Sequence, residues 1–171
     1  MCGLLGPRTR SDSWDYGNAH FLVLEVDGYV SVDPGSQQYR WLGSDLSTTA
    51  KTWKFVFFHI PLYSCGLSGD PDLEARAALH PLFQRHGVDI VFNGHDHNYQ
   101  RHVVDGVTYV VTGGGGGSTW GLARGCDHQP AYWEEARHVM KVTVSGNTLS
   151  CVAIRSDAEG SEMDPFTLTA N

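Results

Sequence analysis

The chain has 171 residues, with 12 Lys+Arg against 19 Asp+Glu and a formal net charge of −7 at pH 7. Hydrophobic residues make up 41% and charged residues 18%, enough to bury one domain's core and too apolar for a disordered chain. The acidic balance leaves no electrostatic footprint for nucleic acid or an anionic membrane surface, and no apolar run nears the roughly 20 residues that a spanning helix needs.

Met1 to Trp14 lacks the apolar stretch of a secretory signal peptide, and residues 1–13 predict a loosely packed start. His20 to Val26 is apolar and β-prone, a predicted strand. After Asp33-Pro34-Gly35, Ser36 to Leu46 predicts a helix with Tyr39, Trp41, Leu42 and Leu46 on one face. Trp53 to Phe58 is a short continuous apolar run, the form of a parallel strand covered on both sides. Asp72 to His86 predicts a second helix, with Asp70 or Asp72 at its start, Gly87 at its end and a break or kink near Leu79-His80 because of Pro81. Val88 to Phe92 predicts another buried strand.

Beyond His102 the pattern turns β-rich. Val107 to Thr112, His138 to Val144 and Leu149 to Ile154 predict strands, with Asp105-Gly106 and Gly146-Asn147 as turns. Gly113 to Ala136 predicts a long loop that opens with five glycines, and the tail from Asp157 predicts loose packing. Strand–helix units followed by hairpins give an α/β fold with a mixed sheet in a single domain over 1–171. The four cysteines (Cys2, Cys65, Cys126, Cys151) show no CxxC pairing and read as free or buried thiols.

In an open parallel sheet, ligands bind beyond the carboxyl ends of the strands. Two predicted buried strands run into histidine there: Phe57-Phe58-His59-Ile60-Pro61, and Asn93-Gly94-His95-Asp96-His97-Asn98-Tyr99. If those strands are neighbours, three imidazoles leave the same edge, and imidazole suits Zn, Fe, Mn or Co ions. His95 and His97, two residues apart in an extended loop, would lean to one side, with Gly94 providing the turn. His20, His80, His86, His102, His128 and His138 read instead as ordinary strand, helix or loop residues.

Phe58-His59-Ile60-Pro61-Leu62-Tyr63-Ser64 and Gly94-His95-Asp96-His97-Asn98-Tyr99-Gln100-Arg101 resemble two signature blocks of the calcineurin-like metallophosphoesterases, in the purple acid phosphatase-like branch. Further similarity lies in Asp15 to Phe21, Gln38 to Leu42 and Val107 to Gly114. The resemblance implies the C-terminal half of an αββα sandwich, and a phosphatase that hydrolyses phosphate esters through two metal ions (Fe, Zn or Mn). It implies His59 and His95 on one ion and His97 on the other, with Asp96, Asn98, Tyr99 and Arg101 around them, orienting the ligands or lining the substrate rim. Relatives of this branch are often exported.

The family's Asp-x-His, Gly-Asp and Gly-Asn-His blocks are not found in their places. Gly17-Asn18-Ala19-His20 matches the last only superficially, and Gly69-Asp70 follows the His59 strand instead of preceding it. Three neutral imidazoles cancel none of the charge of two ions, so at most one ion, weakly held, is expected. The chain therefore reads as the C-terminal part of a longer enzyme, with an exposed sheet prone to self-association. The alternative is a non-catalytic module of the same family. No general acid or other catalytic residue is assigned; Asp70 and Asp72 read first as helix-start residues. The Gly113–Gly117 run lacks the ending of a P-loop and reads as a strand exit where chain segments approach closely, with Trp120, Tyr132 and Trp133 shaping a pocket or packing it down.

Overall fold

The computed structural model describes residues 11–67, 71–123 and 126–170. The elements run β1 (Asp12–Tyr16), β2 (Ala19–Val23), α1 (Gln37–Thr48), β3 (Trp53–Phe57), α2 (Leu73–His86) and β4 (Ile90–Asn93). They continue with β5 (Tyr99–Val104), β6 (Val107–Thr112), β7 (Tyr132–Glu134), β8 (His138–Ser145), β9 (Thr148–Arg155) and β10 (Glu162–Thr169). One sheet has the order β1-β2-β3-β4-β6-β5-β7 and the other β10-β9-β8. Strands β2, β3, β4 and β6 are mutually parallel, β1 and β5 run antiparallel to them, and β7 pairs antiparallel with β5. The predicted mixed α/β sheet is therefore the observed one.

Alternation along the central strands builds two cores. Leu22, Val56 and Val91 pack with Leu42, Leu46, Leu79 and Phe83 of the helices. The alternate residues Phe21, Phe55, Phe57, Ile90 and Phe92 face Leu149, Cys151, Ala153 and Met163 of the smaller sheet. The layers are thus helices, large sheet, small sheet. Among the described residues no helix is long and apolar enough to cross a membrane.

Local chemistry explains the element ends. Ser36 caps α1 by accepting from the Tyr39 N–H, and Asp72 caps α2 by accepting from Ala75 N at 2.9 Å. The cap role absorbs Asp72; Asp70 lies outside the described residues. Gly87 closes α2 at φ 62, a left-handed position that suits glycine. Between β5 and β6, Asp105 and Gly106 both have positive φ, the two-residue turn their identities predict.

Three expectations need correction. Helix α2 runs through Pro81 without a break. Proline costs about 3 kcal/mol in a helix interior, but burial of Leu79, Leu82 and Phe83, each side chain being worth roughly 1.5–3 kcal/mol, outweighs that loss. The tail expected to be loose forms β10, with Met163 and Asp164 buried against β9 and β5. Of the start expected to be loose, Asp12 and Ser13 belong to β1, paired with Val23 and Leu22; residues 1–10 lie outside the described residues.

Candidate metal centre

Parallel pairing of β3 with β4 aligns Phe57 with Phe92, and backbone bonds carry this alignment past the strand ends. Phe58 N donates to Phe92 O at 3.2 Å and Gly94 N to His59 O at 3.1 Å. Asn93, buried, donates its Nδ2 to Phe58 O at 3.0 Å. The two exits are thus locked side by side, and His95 Nδ1 comes within 3.4 Å of His59 Nε2, with the rings perpendicular at 87°. Two nitrogens that each bind a tetrahedral ion at roughly 2.1 Å stand about 3.4 Å apart. The pair therefore fits the donor spacing of one ion, or shares one proton in its absence.

His97 takes a different direction. His95 itself adopts φ 64, a left-handed conformation uncommon outside glycine, so the turn expected at Gly94 occurs one residue later and breaks the alternation that would aim both rings alike. The His97 ring stacks on Trp120 with centroids 4.1 Å apart, and its Nδ1 lies 2.8 Å from Ser118 O. A carbonyl only accepts, so Nδ1 carries a hydrogen, and in the neutral ring Nε2 then keeps the lone pair through which imidazole binds a metal. Among the described residues no three His, Cys, Asp or Glu side chains form a group that could hold one ion. The structure brings His59 and His95 together and leaves His97 outside that pair.

The residues around the histidines divide by sheet face. Asp96 is buried and accepts from Ser64 Oγ. Asn98, also buried, donates to Trp120 O at 3.1 Å and accepts from Gln100 Nε2 at 2.9 Å. Gln100 then binds Ser64 Oγ and, through Oε1, the N–H of Cys65. This buried network welds the loop after β3 to the loop after β4. Tyr99 and Arg101 point to the other face: Tyr99 donates to Asp164 Oδ2 at 2.8 Å, and Arg101 grips both Asp164 oxygens at 2.6 and 2.8 Å. They join the large sheet to β10.

The expectation of free thiols is corrected for two cysteines. Cys65 and Cys126 form a disulfide across 61 residues of sequence, whereas Cys151 is free and buried, its thiol pushed up to about 12 by burial; Cys2 lies outside the described residues. The disulfide ties the loop after β3 to the loop after β6. The glycine-rich exit from β6 is a place of close approach: a Cβ at Gly113 would lie 2.1 Å from Asp96 O, and one at Gly117 would lie 2.4 Å from the His97 ring. Of the aromatic residues expected nearby, Trp120 reaches a histidine. Tyr132 donates to Glu134, and Trp133 is exposed.

Three of the remaining histidines, His20, His138 and His102, are engaged elsewhere. His20 lies 2.7 Å from both Asp15 and Asp45 and fastens β2 to α1. His138 bonds Thr112 and the Ala136 carbonyl. His102 is buried, its Nδ1 without a hydrogen-bond partner. Burial first, then the charges of His128 and Arg76, push its titration down to about 4.

Residues 5–99, more than half of the chain, match the family model of the Calcineurin-like phosphoesterase. The chain belongs to the calcineurin-like phosphoesterase family. The chain is 36% identical to Purple acid phosphatase 18 of Arabidopsis thaliana over 126 residues, 66% of the chain and 28% of that protein. It is 34% identical to Purple acid phosphatase 15 of the same plant over 116 residues, 61% of the chain and 21% of that protein. Purple acid phosphatase 1 of Ipomoea batatas is 34% identical over 139 residues, 67% and 29% respectively. The chain thus spans between 21% and 29% of the length of these relatives. Its fold is similar to that of purple acid phosphatase PPD1 from yellow lupin, with TM-score 0.85 and 23% identity over 99% of this chain and 34% of that one. GAP50, the anchor in the inner membrane complex of Plasmodium, shares the fold at TM-score 0.77 and 17% identity, over 94% of this chain and 53% of that one.

Proposed function

We propose that this chain supplies one wall of a di-metal centre that hydrolyses phosphate esters, with His59 and His95 on one ion and His97 on the other. The observation that carries the reading is the 3.4 Å approach of His59 Nε2 to His95 Nδ1 at the ends of adjacent parallel strands. The tautomer of His97 set by Ser118 O supports it as well. When bound, such ions make a water acidic enough to be hydroxide near neutral pH and neutralise charge on the phosphoryl group. The chain's own contribution is placement. The Phe92–Phe58 and His59–Gly94 backbone bonds hold the pair, the Trp120 stack sets the plane of His97, and the Ser64–Asp96 bond holds the turn between His95 and His97.

One observation favours a second reading, a module of this fold that holds a single ion weakly and catalyses nothing. Among the described residues no carboxylate joins the His59–His95 pair, and two neutral imidazoles offset none of an ion's charge. A shared fold by itself assigns no chemistry.

Metal content decides between presence and absence of a centre. Purified chain equilibrated with Zn²⁺ or Mn²⁺ and analysed by mass spectrometry should retain up to one ion, lost in His59→Ala/His95→Ala. Little p-nitrophenyl phosphate hydrolysis is expected of residues 1–171. Equal metal content in chain and variant would overturn the proposal, and robust turnover that vanishes in His97→Ala would overturn the second reading.

A further inference from the structure

The segment that holds His97 is fastened at two ends. Toward the histidine, Ser118 O accepts from the ring at 2.8 Å, Trp120 N donates to His97 O at 3.3 Å, and Asn98 Nδ2 donates to Trp120 O at 3.1 Å. At the far end Leu122 forms a lone bridge with Gly66, Ala123 N donates to Cys65 O at 2.7 Å, and Cys126 is bonded to Cys65. Between those ends Ser118–Leu122 belongs to no helix or strand. Isolated hydrogen bonds on a partly exposed segment compete with water and are individually weak. The covalent tie removes the open conformations in which that competition would be lost.

We infer that the Cys65–Cys126 disulfide sets the placement of the His97 ring through Ser118–Leu122, so that reduction by a dithiol releases Trp120 and Ser118 from the ring. The inference concerns the ring's position and stands without metal. The chemistry balances within the two partners. A thiolate of the reductant attacks Cys126 Sγ, which is half-buried, in preference to Cys65, which is 2% exposed. The S–S bond breaks and Cys65 Sγ leaves as thiolate, taking a proton from water. The reductant's second thiol then closes its own disulfide and releases Cys126, so two electrons pass from dithiol to protein.

The test uses the full metal-free chain, oxidised and then reduced with dithiothreitol, followed by NMR. In the oxidised chain the His97 ring protons should carry an upfield ring-current displacement from Trp120, and Trp120→Leu should remove it with the disulfide intact. Reduction should collapse the same displacement and speed amide exchange at 118–123 by at least about tenfold, while β3, β4 and β6 stay protected. Cys65→Ser/Cys126→Ser should behave as the reduced chain does. Unchanged His97 signals and exchange on reduction would overturn the inference. So would loss of protection across β3, β4 and β6, because the disulfide would then be holding the whole fold and not this segment. In a parallel Zn²⁺ titration, the ion held by His59 and His95 should bind equally well to the oxidised and the reduced chain, because His97 lies outside that pair. A fall in that affinity on reduction would overturn the inference, because the disulfide would then be placing the His59–His95 pair and not this segment alone.

Discussion

The two faces of the seven-stranded sheet are closed to different degrees. On the helix face Leu22, Val56, Val91, Leu42, Leu79 and Phe83 are fully buried. On the other face the three-stranded sheet covers β4 and β6 but leaves a cleft of about 410 Å³ walled by Phe21, Phe55, Phe57, Phe92, Met140 and Val142. Trp14 extends this aromatic row by stacking on Phe21, and is 49% exposed. The same sequence alternation that buries one side completely leaves aromatic rings partly uncovered on the other. The layers are also fastened by different polar ties: single histidine contacts, His20 to Asp45 and His80 to Tyr109, join the sheet to the helices, while a buried carboxylate, Asp164, gripped by Tyr99 and Arg101, joins it to the smaller sheet.

Truncation tests the contrast most strongly. Phe83→Ala removes a ring with no exposure from the helix face and should cost about 4 kcal/mol, the transfer energy of the ring plus the cavity left behind. Phe57 is only partly buried beside the cleft, so solvent and neighbours can take up the space it leaves. Phe57→Ala should cost no more than about 1.5 kcal/mol, the low end of the scale for a fully buried side chain. Urea midpoints with unchanged slope measure both. Equal losses would erase the distinction between the faces.

Acid should act on the helix face through His102, whose strand neighbours Gln100 and Val104 lie on the same side. Burial holds its imidazole neutral, with titration pushed down to about 4 from 6.5, and the nearby charges of His128 and Arg76 add to the effect. The unfolded chain takes up a proton near pH 6.5 that the folded chain refuses. Stability from this group is therefore complete above pH 6.5, falls as pH drops toward 4, and falls no further once the folded state also protonates. At about 1.4 kcal/mol per pH unit, the loss amounts to roughly 3 kcal/mol. His102→Gln has no proton to gain and should flatten the stability profile between pH 6.5 and 4, whatever its stability at pH 8. An unchanged slope would show that another group carries the acid sensitivity.

The sequence made the apolar strands and the histidine pair legible, and for a common reason. Runs such as Phe55-Val56-Phe57-Phe58 and Ile90-Val91-Phe92 belong to strands buried on both faces, and their ends deliver His59 and His95 to neighbouring exits. Strand β1 escaped notice because Asp12, Trp14, Asp15 and Tyr16 are exposed and gain their order from β2. Strand β10 was hidden by Pro165 and by a register shift between Met163 and Phe166 at which Asp164 takes φ 46. The turning away of His97 follows from the left-handed backbone of His95, which no residue type announces. The Cys65–Cys126 pairing depends on two loops meeting across 61 residues, so spacing alone could not supply it.

Asp164 offers the finest test of the layered comparison. Its carboxylate accepts from the Tyr99 hydroxyl and receives two parallel bonds from Arg101, a geometry that favours guanidinium over any other cation. Arg101 also lies over the Phe166 ring at 4.8 Å, so the grip joins β5 to β10 by charge and by packing together. Asp164→Asn keeps the shape and one acceptor oxygen but removes the charge. It should cost about 2 kcal/mol, the range for hydrogen bonds to charged groups, and should raise amide exchange first in β10 and β9. Phe83→Ala, by contrast, should raise exchange first around α2. If Asp164→Asn instead loosens α2 as readily as β10, the two faces unfold as one unit, and their different construction has no energetic consequence.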